Sequence, residues 1–545
     1  MKIKIFQQTI CWSCIIIFNY FLGCTTVIKP LINAIEPDVT INWNDQHQQI
    51  DGFGASSAWT AQNISENQAD LYFSVEEGIG LSLLRNRIAP DGTTLELATM
   101  KKAQARGAKI WSTPWSPPAE WKTNEDVNNG GHLIYSYYQD YADLLAQYVE
   151  NMKGEGINLY AISVQNEPNY TAVWESCLWS EDEFHSFVPY LYSALTNEGL
   201  TSTKIMIAEN SGWNFDLTSS TMDDDNTASM VGILAAHSYW GAPSPVNTFG
   251  KQLWQTEVSS FDSFDGSMDN ALKWATNIHE FMTKTEANAW HYWWLITNTN
   301  DNQSLLDING NPAKRMWAIG NFSKFVRPGY YRIGASDPGD ILVSAYKDPD
   351  TGKVTIVAIN DSDVSIEKTF NLIDFYPSFM VPWITSDSFS LEQQPAIEIS
   401  DNSFTYTLPA LSIVTFEETL LLSTDPAPEI KANGSDGPLT IPQGDVLSVT
   451  TSLVCGDQKN ENADWWYLAQ TPKGWYWWAY PGIWRPGVRF TYQMPLFDWP
   501  ETTLFESSSL PLGTYAIYFG VDMNMNGFVD FEQMYYDYVV VTITP

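Results

Sequence analysis

The chain has 545 residues, more than one hydrophobic core can organise, and its 44% hydrophobic content is enough for several cores, which excludes disorder. Sixty-four Asp and Glu face 28 Lys and Arg, a formal net charge of -36, so phosphate backbones and anionic lipid surfaces are repelled and nucleic acid is not an expected partner. Aromatic residues make up 14%, with 24 Trp, and flat aromatic faces suit neutral polyhydroxylated ligands as well as they fill cores.

Residues 1–34 read as an export segment. Lys2 and Lys4 give a positive start, and an apolar stretch runs from Ile10 to Leu22, too short to span a membrane comfortably. Phe21-Leu22-Gly23-Cys24 resembles a bacterial lipoprotein cleavage box with its Leu one place late, and cleavage near Ala34 competes with it. The protein is therefore expected to be secreted or held at the cell surface, with Cys24 as the candidate lipid anchor. Cys11, Cys14 and Cys24 all lie in this segment. Only Cys177 and Cys455 remain, so no disulfide framework is expected, and no Cys/His spacing suggests zinc.

From residue 51 to 325, short apolar runs alternate with helical patterns. The strand candidates are Gly52–Ser57, Leu81–Ile88, Lys109–Pro114, Leu159–Gln165, Lys204–Ala208, Ile233–Ser238, Gln252–Glu257 and Ala287–Leu295. Helical patterns such as Tyr135–Met152 and Asp182–Glu198 lie between them. This α/β rhythm predicts a (β/α)8 TIM barrel. Rhythm alone leaves a doubly wound open sheet as the alternative, although no nucleotide-binding glycine motif follows a strand. Residues 35–50 and 326–418 predict a side antiparallel β-domain, with Val39–Trp43 as a candidate strand of it. A linker at 419–432, with Thr424-Asp425-Pro426-Ala427-Pro428, leads to an aromatic-rich, all-β accessory domain at 433–545.

Catalytic groups of such barrels sit at the C-terminal ends of strands. Two carboxylates fall there: Glu167 after the fourth candidate strand and Glu257 at the end of the seventh. Facing carboxylates are what glycosidic cleavage needs, one to protonate the leaving oxygen and one to attack the anomeric carbon.

Several stretches carry a specific resemblance. Gln165-Asn166-Glu167-Pro168 resembles the acid/base motif of the large clan of retaining barrel glycosidases. Gln49-Ile50-Asp51-Gly52-Phe53-Gly54, Arg85-Asn86-Arg87-Ile88, Trp111-Ser112-Thr113-Pro114-Trp115 and Phe322-Ser323-Lys324-Phe325-Val326-Arg327-Pro328-Gly329 resemble, in order, successive motifs of glycoside hydrolase family 30. Trp174-Glu175-Ser176-Cys177-Leu178-Trp179 resembles its xylanase branch. The resemblance implies that Glu167 is the acid/base and Glu257 the nucleophile of a retaining endo-β-1,4-xylanase. It implies that Asn166 bonds the sugar 2-hydroxyl, that Trp115, Tyr239 and Trp293 wall that sugar, that Trp59 walls it or packs, and that Arg87 fixes a catalytic carboxylate or forms a structural pair. His237 is expected to be a hydrogen-bonding residue near the mouth.

Members of that branch that grip a glucuronic acid branch are similar in carrying an arginine after the eighth strand. Here Leu295-Ile296-Thr297-Asn298-Thr299-Asn300 has none, and the loop after Glu257 adds Asp262 and Asp265. A xylanase without strict glucuronate dependence is therefore expected, with Arg315 folding back as the alternative. The rival readings are a β-1,6-glucanase or exo-acting glycosidase with the same machinery, and a non-catalytic polysaccharide-binding protein. The partner is a polysaccharide, xylan on the favoured reading, and a monomer is expected. No cofactor or catalytic metal is needed for two-carboxylate chemistry. A structural calcium is the one exception considered: Asp522-Met523-Asn524-Met525-Asn526-Gly527 opens like a calcium loop, but position 12 is the neutral Gln533. The aromatics around Trp465-Trp466-Tyr467 and Trp475-Tyr476-Trp477-Trp478 fit either glycan binding or a structural role, since alternate strand residues must enter the core.

Overall fold

The computed structural model describes residues 39–419, 425–529 and 534–545. The expected export segment with Cys24 and residues 420–424 and 530–533 lie outside the described residues; of the expected linker 419–432, Ala427–Ala432 is instead a strand, paired antiparallel with Leu447–Val454 because its backbone finds a ladder partner there.

β1 (Val39–Gln49) leads into eight strands that close into a barrel. These are β2 (Gly52–Ser56), β3 (Leu83–Ile88), β4 (Lys109–Pro114), β5 (Leu159–Ser163), β6 (Lys204–Asn210), β7 (Val231–Ala236), β8 (Gln252–Gln255) and, after the short β9 (Ser260–Ser263), β10 (Ala289–Trp294). β10 pairs in parallel with both β2 and β8, which closes the ring and removes the open-sheet alternative. β8 stops at Gln255, so Glu257 belongs to the loop above the barrel rather than to the strand.

Inward-facing residues alternate along the strands, as the period of two requires. Leu83, Trp111, Ala161, Met206, Ile233, Trp254 and Ala289 fill the centre, two tryptophans taking the space that the alanines leave. The helix Glu181–Asn197 starts at a capping box: the Ser180 side chain accepts from the Glu183 N–H, and the Glu183 carboxylate accepts from the Ser180 N–H.

The side domain is a ten-stranded sheet. β1 pairs antiparallel with the strand Tyr331–Ala335 but parallel with Ile366–Ile373, so this sheet is not wholly antiparallel as expected. Parallel neighbours need a long crossover, and the entire barrel separates β1 from Ile366–Ile373 in sequence. The C-terminal unit has a three-stranded and a seven-stranded sheet. Along its strand Asn462–Thr471, Trp465 and Tyr467 enter one core, while Trp466 and Leu468 join a second cluster with Trp475, Trp477 and Phe490. Both cysteines of the described residues are buried and free. No described helix is long and apolar enough to cross a membrane.

Candidate active site

The chain leaves β5 through Val164-Gln165-Asn166-Glu167, and Pro168 prevents the strand from continuing. The Asn166 N–H donates to the Pro114 carbonyl at 2.9 Å and the Glu167 N–H to the Glu209 carbonyl at 3.1 Å. Glu167 is held at φ +46° and Glu209 at φ +51°, left-handed conformations that cost a non-glycine residue about 1–3 kcal/mol each. That cost places both side chains over the barrel rather than against its outer helices.

Three carboxylates, Glu167, Glu209 and Glu257, converge on the fully buried Arg85 and His237. Arg85 pairs with Glu257 and donates to Glu209 at 2.9 Å and to the Asn166 side-chain carbonyl at 2.5 Å. Its guanidinium also lies 4.7 Å from the Trp115 ring and 5.5 Å from that of Trp293. His237 Nδ1 is 3.0 Å from a Glu167 oxygen, and its Nε2 lies 3.6 Å from oxygens of both Glu209 and Glu257. The Tyr239 hydroxyl donates to the other Glu257 oxygen at 2.7 Å. A carboxylate oxygen of Glu167, a ring nitrogen of His237 and a carboxylate oxygen of Glu257 all lie within 4.8 Å of one another, a grouping that could also hold a metal ion.

Burial opposes the charge on His237, but Glu257, Glu167 and Glu209 outweigh it and raise the ring from 6.5 to about 9. Burial likewise opposes ionisation of Glu209, and Arg85 and His237 outweigh it, holding this carboxyl at about 2. The Arg85 charge is penalised by burial and more than restored by Glu209 and Glu257. Burial, with the Glu257 charge beside it, keeps the Tyr239 phenol well above its ordinary value, so it stays a donor at neutral pH.

Above this cluster opens a cleft of about 1000 Å³ lined by Trp59, Trp115, Asn166, Glu167, Tyr239, Glu257 and Trp293, seven of the eight residues singled out from sequence. Trp59, Trp115 and Trp293 form one wall, with ring centroids 4.7 Å (Trp59–Trp115), 6.2 Å (Trp59–Trp293) and 5.9 Å (Trp115–Trp293) apart. Arg87 is the exception. It pairs with Glu175, at 2.8 Å through Nε, and sits 5.3 Å from the Trp59 ring, touching neither catalytic candidate. Leu83, Arg85 and Arg87 share the inward face of β3, but each step of two residues rises roughly 6.5 Å, so Arg85 reaches the carboxylates and Arg87 overshoots them.

Residues 80–334 match the glycosyl hydrolase family 30 TIM-barrel domain. The chain is 33% identical over 400 residues to glucuronoxylanase XynC of Bacillus subtilis strain 168, covering 70% of this chain and 91% of that protein. The chain belongs to glycosyl hydrolase family 30. Among solved structures it is similar to the family 30 subfamily 8 xylanase Xyn30A of Clostridium acetobutylicum, at TM-score 0.64 and 33% identity, over 70% of this chain and all of that one. A family 30 endoxylanase of Clostridium papyrosolvens C71 is similar at TM-score 0.61 and 32% identity, again over 70% and 100%.

This family 30 glycoside hydrolase contains site residues that sequence reasoning missed. Glu209 follows the candidate strand Lys204–Ala208 directly, so the strand-end rule that found Glu167 and Glu257 applied to it equally. Arg85 stood in the quoted Arg85-Asn86-Arg87-Ile88 stretch, but strand parity gives the face and not the depth. His237, expected as a hydrogen-bonding residue, is a buried cation set among three carboxylates. The outer rim, all exposed, has Tyr170, Trp174 and Trp240 in loops and Phe261 on the short β9, none of them carrying a periodic signal. Arg315 does not fold back into the cleft: it is buried and donates to the carbonyls of Ser304 at 2.7 Å and Asp265 at 2.8 Å.

Proposed function

We propose that this glycoside hydrolase is an exported, retaining endo-β-1,4-xylanase that cleaves the xylan backbone without strict dependence on glucuronic acid branches. The observation that carries the retaining assignment is the approach of Glu167 and Glu257 oxygens to within 4.8 Å. Retaining enzymes hold their carboxyl groups about 5–5.5 Å apart, whereas inverting ones leave roughly 6.5–9.5 Å for a water. A nearest-oxygen approach of this size supports the shorter, retaining spacing.

Glu257 has donors on both oxygens, from Arg85 and Tyr239, which fix its orientation. It is the nucleophile. Among the described residues the Glu167 carboxylate bonds only His237, and it is the more open of the two, which suits a group that exchanges protons with substrate and water. As the acid, Glu167 gives a proton to the glycosidic oxygen as the C–O bond breaks, and Glu257 bonds to the anomeric carbon. Glu167 then takes a proton from water, which displaces Glu257 and restores the starting configuration. Asn166, held by Arg85 through its carbonyl, keeps its amide N–H free for the sugar 2-hydroxyl, a contact that strengthens as positive charge develops.

Cleft size and the exposed aromatic rim support action on several linked sugars, hence endo cleavage. The cleft volume lies at the upper end of the roughly 300–1,000 Å³ usual for single small ligands. Among the described residues lining it, Lys273 is the single cation, against Glu167, Glu257 and Asp262, which supports indifference to a uronate. The positive start and apolar stretch of residues 1–34 support export, with lipid attachment at Cys24 as the variant reading.

The test is a product profile on glucuronoxylan, arabinoxylan and unbranched xylo-oligosaccharides, with Glu257→Gln as control and the anomer followed by NMR. Short linear products from all three, β-anomer first, are expected. Products from glucuronoxylan alone, each bearing a uronate, would overturn branch independence. An α-anomer would overturn retention, and no release from any xylan would redirect the substrate assignment to β-1,6-glucan.

A further inference from the structure

The C-terminal unit buries two carboxylates on paired strands and, among the described residues, no cation pairs with either. Asp464, on the strand Asn462–Thr471, is paired in register with Asp522, at the end of the strand Gly513–Asp522, and both are 0% exposed. Among the described residues, every hydrogen-bond partner of the two is a neutral N–H donor. Asp464 accepts from the Gln493 amide at 2.7 Å and the Gly527 N–H at 2.9 Å, and one oxygen of Asp522 accepts from the Asn524 N–H at 2.9 Å. The other Asp522 oxygen, Oδ2, is buried with no hydrogen-bond partner among the described residues. A buried carboxylate without a counter-charge is strongly disfavoured, and two side by side repel each other in addition.

We propose that Asp464 and Asp522 bind a calcium ion, with the loop Asp522-Met523-Asn524-Met525-Asn526 supplying the remaining oxygens. The sequence of that loop places oxygen-bearing side chains at alternate positions and Gly527, at φ +74°, where a calcium loop turns sharply. Its weakness in sequence was the neutral Gln533 where the closing carboxylate belongs. Asp464 supplies a second carboxylate from a neighbouring strand some 60 residues earlier, which spacing alone could not reveal. The donor set is entirely hard oxygen, with no His or Cys among the residues that face Asp522, and so selects calcium over the transition metals. Two carboxylates against one doubly charged ion leave the buried site neutral. The ion would tie the loop to the sheet and make the stability of this unit depend on calcium.

The experiment uses the full chain stripped with EGTA, titrated calorimetrically with calcium chloride and, separately, magnesium chloride. Terbium luminescence excited through tryptophan gives a second readout, because Trp465 and Trp466 directly follow Asp464. One calcium per chain is expected, with an unfolding transition of the C-terminal unit that moves up in calcium and down in EGTA. Asp522→Asn and Asp464→Asn should each weaken binding at least tenfold. In EGTA, Asp522→Asn should unfold no earlier than the unsubstituted protein, since it removes an uncompensated charge, and this separates a lost ligand from a misfolded variant. No calcium uptake by the unsubstituted chain, equal binding by both variants, or equal affinity for magnesium would overturn the proposal, the first of these whether or not the variants fold.

Discussion

Replacing Arg85 with methionine keeps most of the length and apolar contact of the side chain and removes its charge. In the native cluster that charge meets Glu257 and Glu209 and sits over the rings of Trp115, Trp293 and, at 5.3 Å, Trp111. Deleting one partner of a buried ion pair costs about 3–5 kcal/mol, because the remaining charge stays buried without compensation. In a domain of this size each kcal/mol moves the unfolding midpoint by about 2–4 °C, so Arg85→Met should lower it by roughly 10 °C. The cause is separable from packing by a double-mutant cycle. Glu209→Gln alone removes the partner and leaves Arg85 with Glu257, while Arg85→Met with Glu209→Gln removes one charge of each sign and should recover about 1–3 kcal/mol relative to additivity. Differential scanning calorimetry of the four proteins at neutral pH measures this directly. If Arg85→Met unfolds within about 1 kcal/mol of the unsubstituted protein, or if the two substitutions simply add, the cluster is not held together by charge and the reasoning fails.

Three further outcomes follow from the same geometry. His237, raised from 6.5 to about 9, contributes stability that is complete below about pH 6.5 and lost as pH rises through 9; the loss is about 3 kcal/mol, and His237→Gln should abolish that slope in denaturation curves taken from pH 6 to 10, so parallel slopes would refute its charged state. Tyr239→Phe removes a hydrogen bond to the charged Glu257, worth about 1.5–3 kcal/mol, and should lower kcat by roughly ten- to a hundredfold with little change in KM; an unchanged kcat would show that the bond is idle in the transition state. Lys273→Ala should leave the ratio of rates on glucuronoxylan and arabinoxylan unaltered, and a selective loss on glucuronoxylan would identify Lys273 as the group that grips the uronate.

The barrel, its two strand-end carboxylates and the change to β texture near residue 326 were all legible in the chain, because each depends on short-range pattern. Period-two apolar runs, helical spacing and a Pro after Glu167 act within a few residues of themselves. What the chain could not show is depth along the barrel axis and contact between strands distant in sequence. Arg85 and Arg87 have the same parity and nearly the same sequence context, yet one neutralises Glu257 and Glu209 and the other pairs with Glu175. The charged state of His237 arises from three carboxylates contributed by different strands and loops. Asp464 meets Asp522 only because two strands pair in one register. Electrostatic energy depends on distance and burial, and both are set by closure of the barrel and pairing of the sheets, so the residue types were written in the sequence and their charges were decided by the tertiary structure.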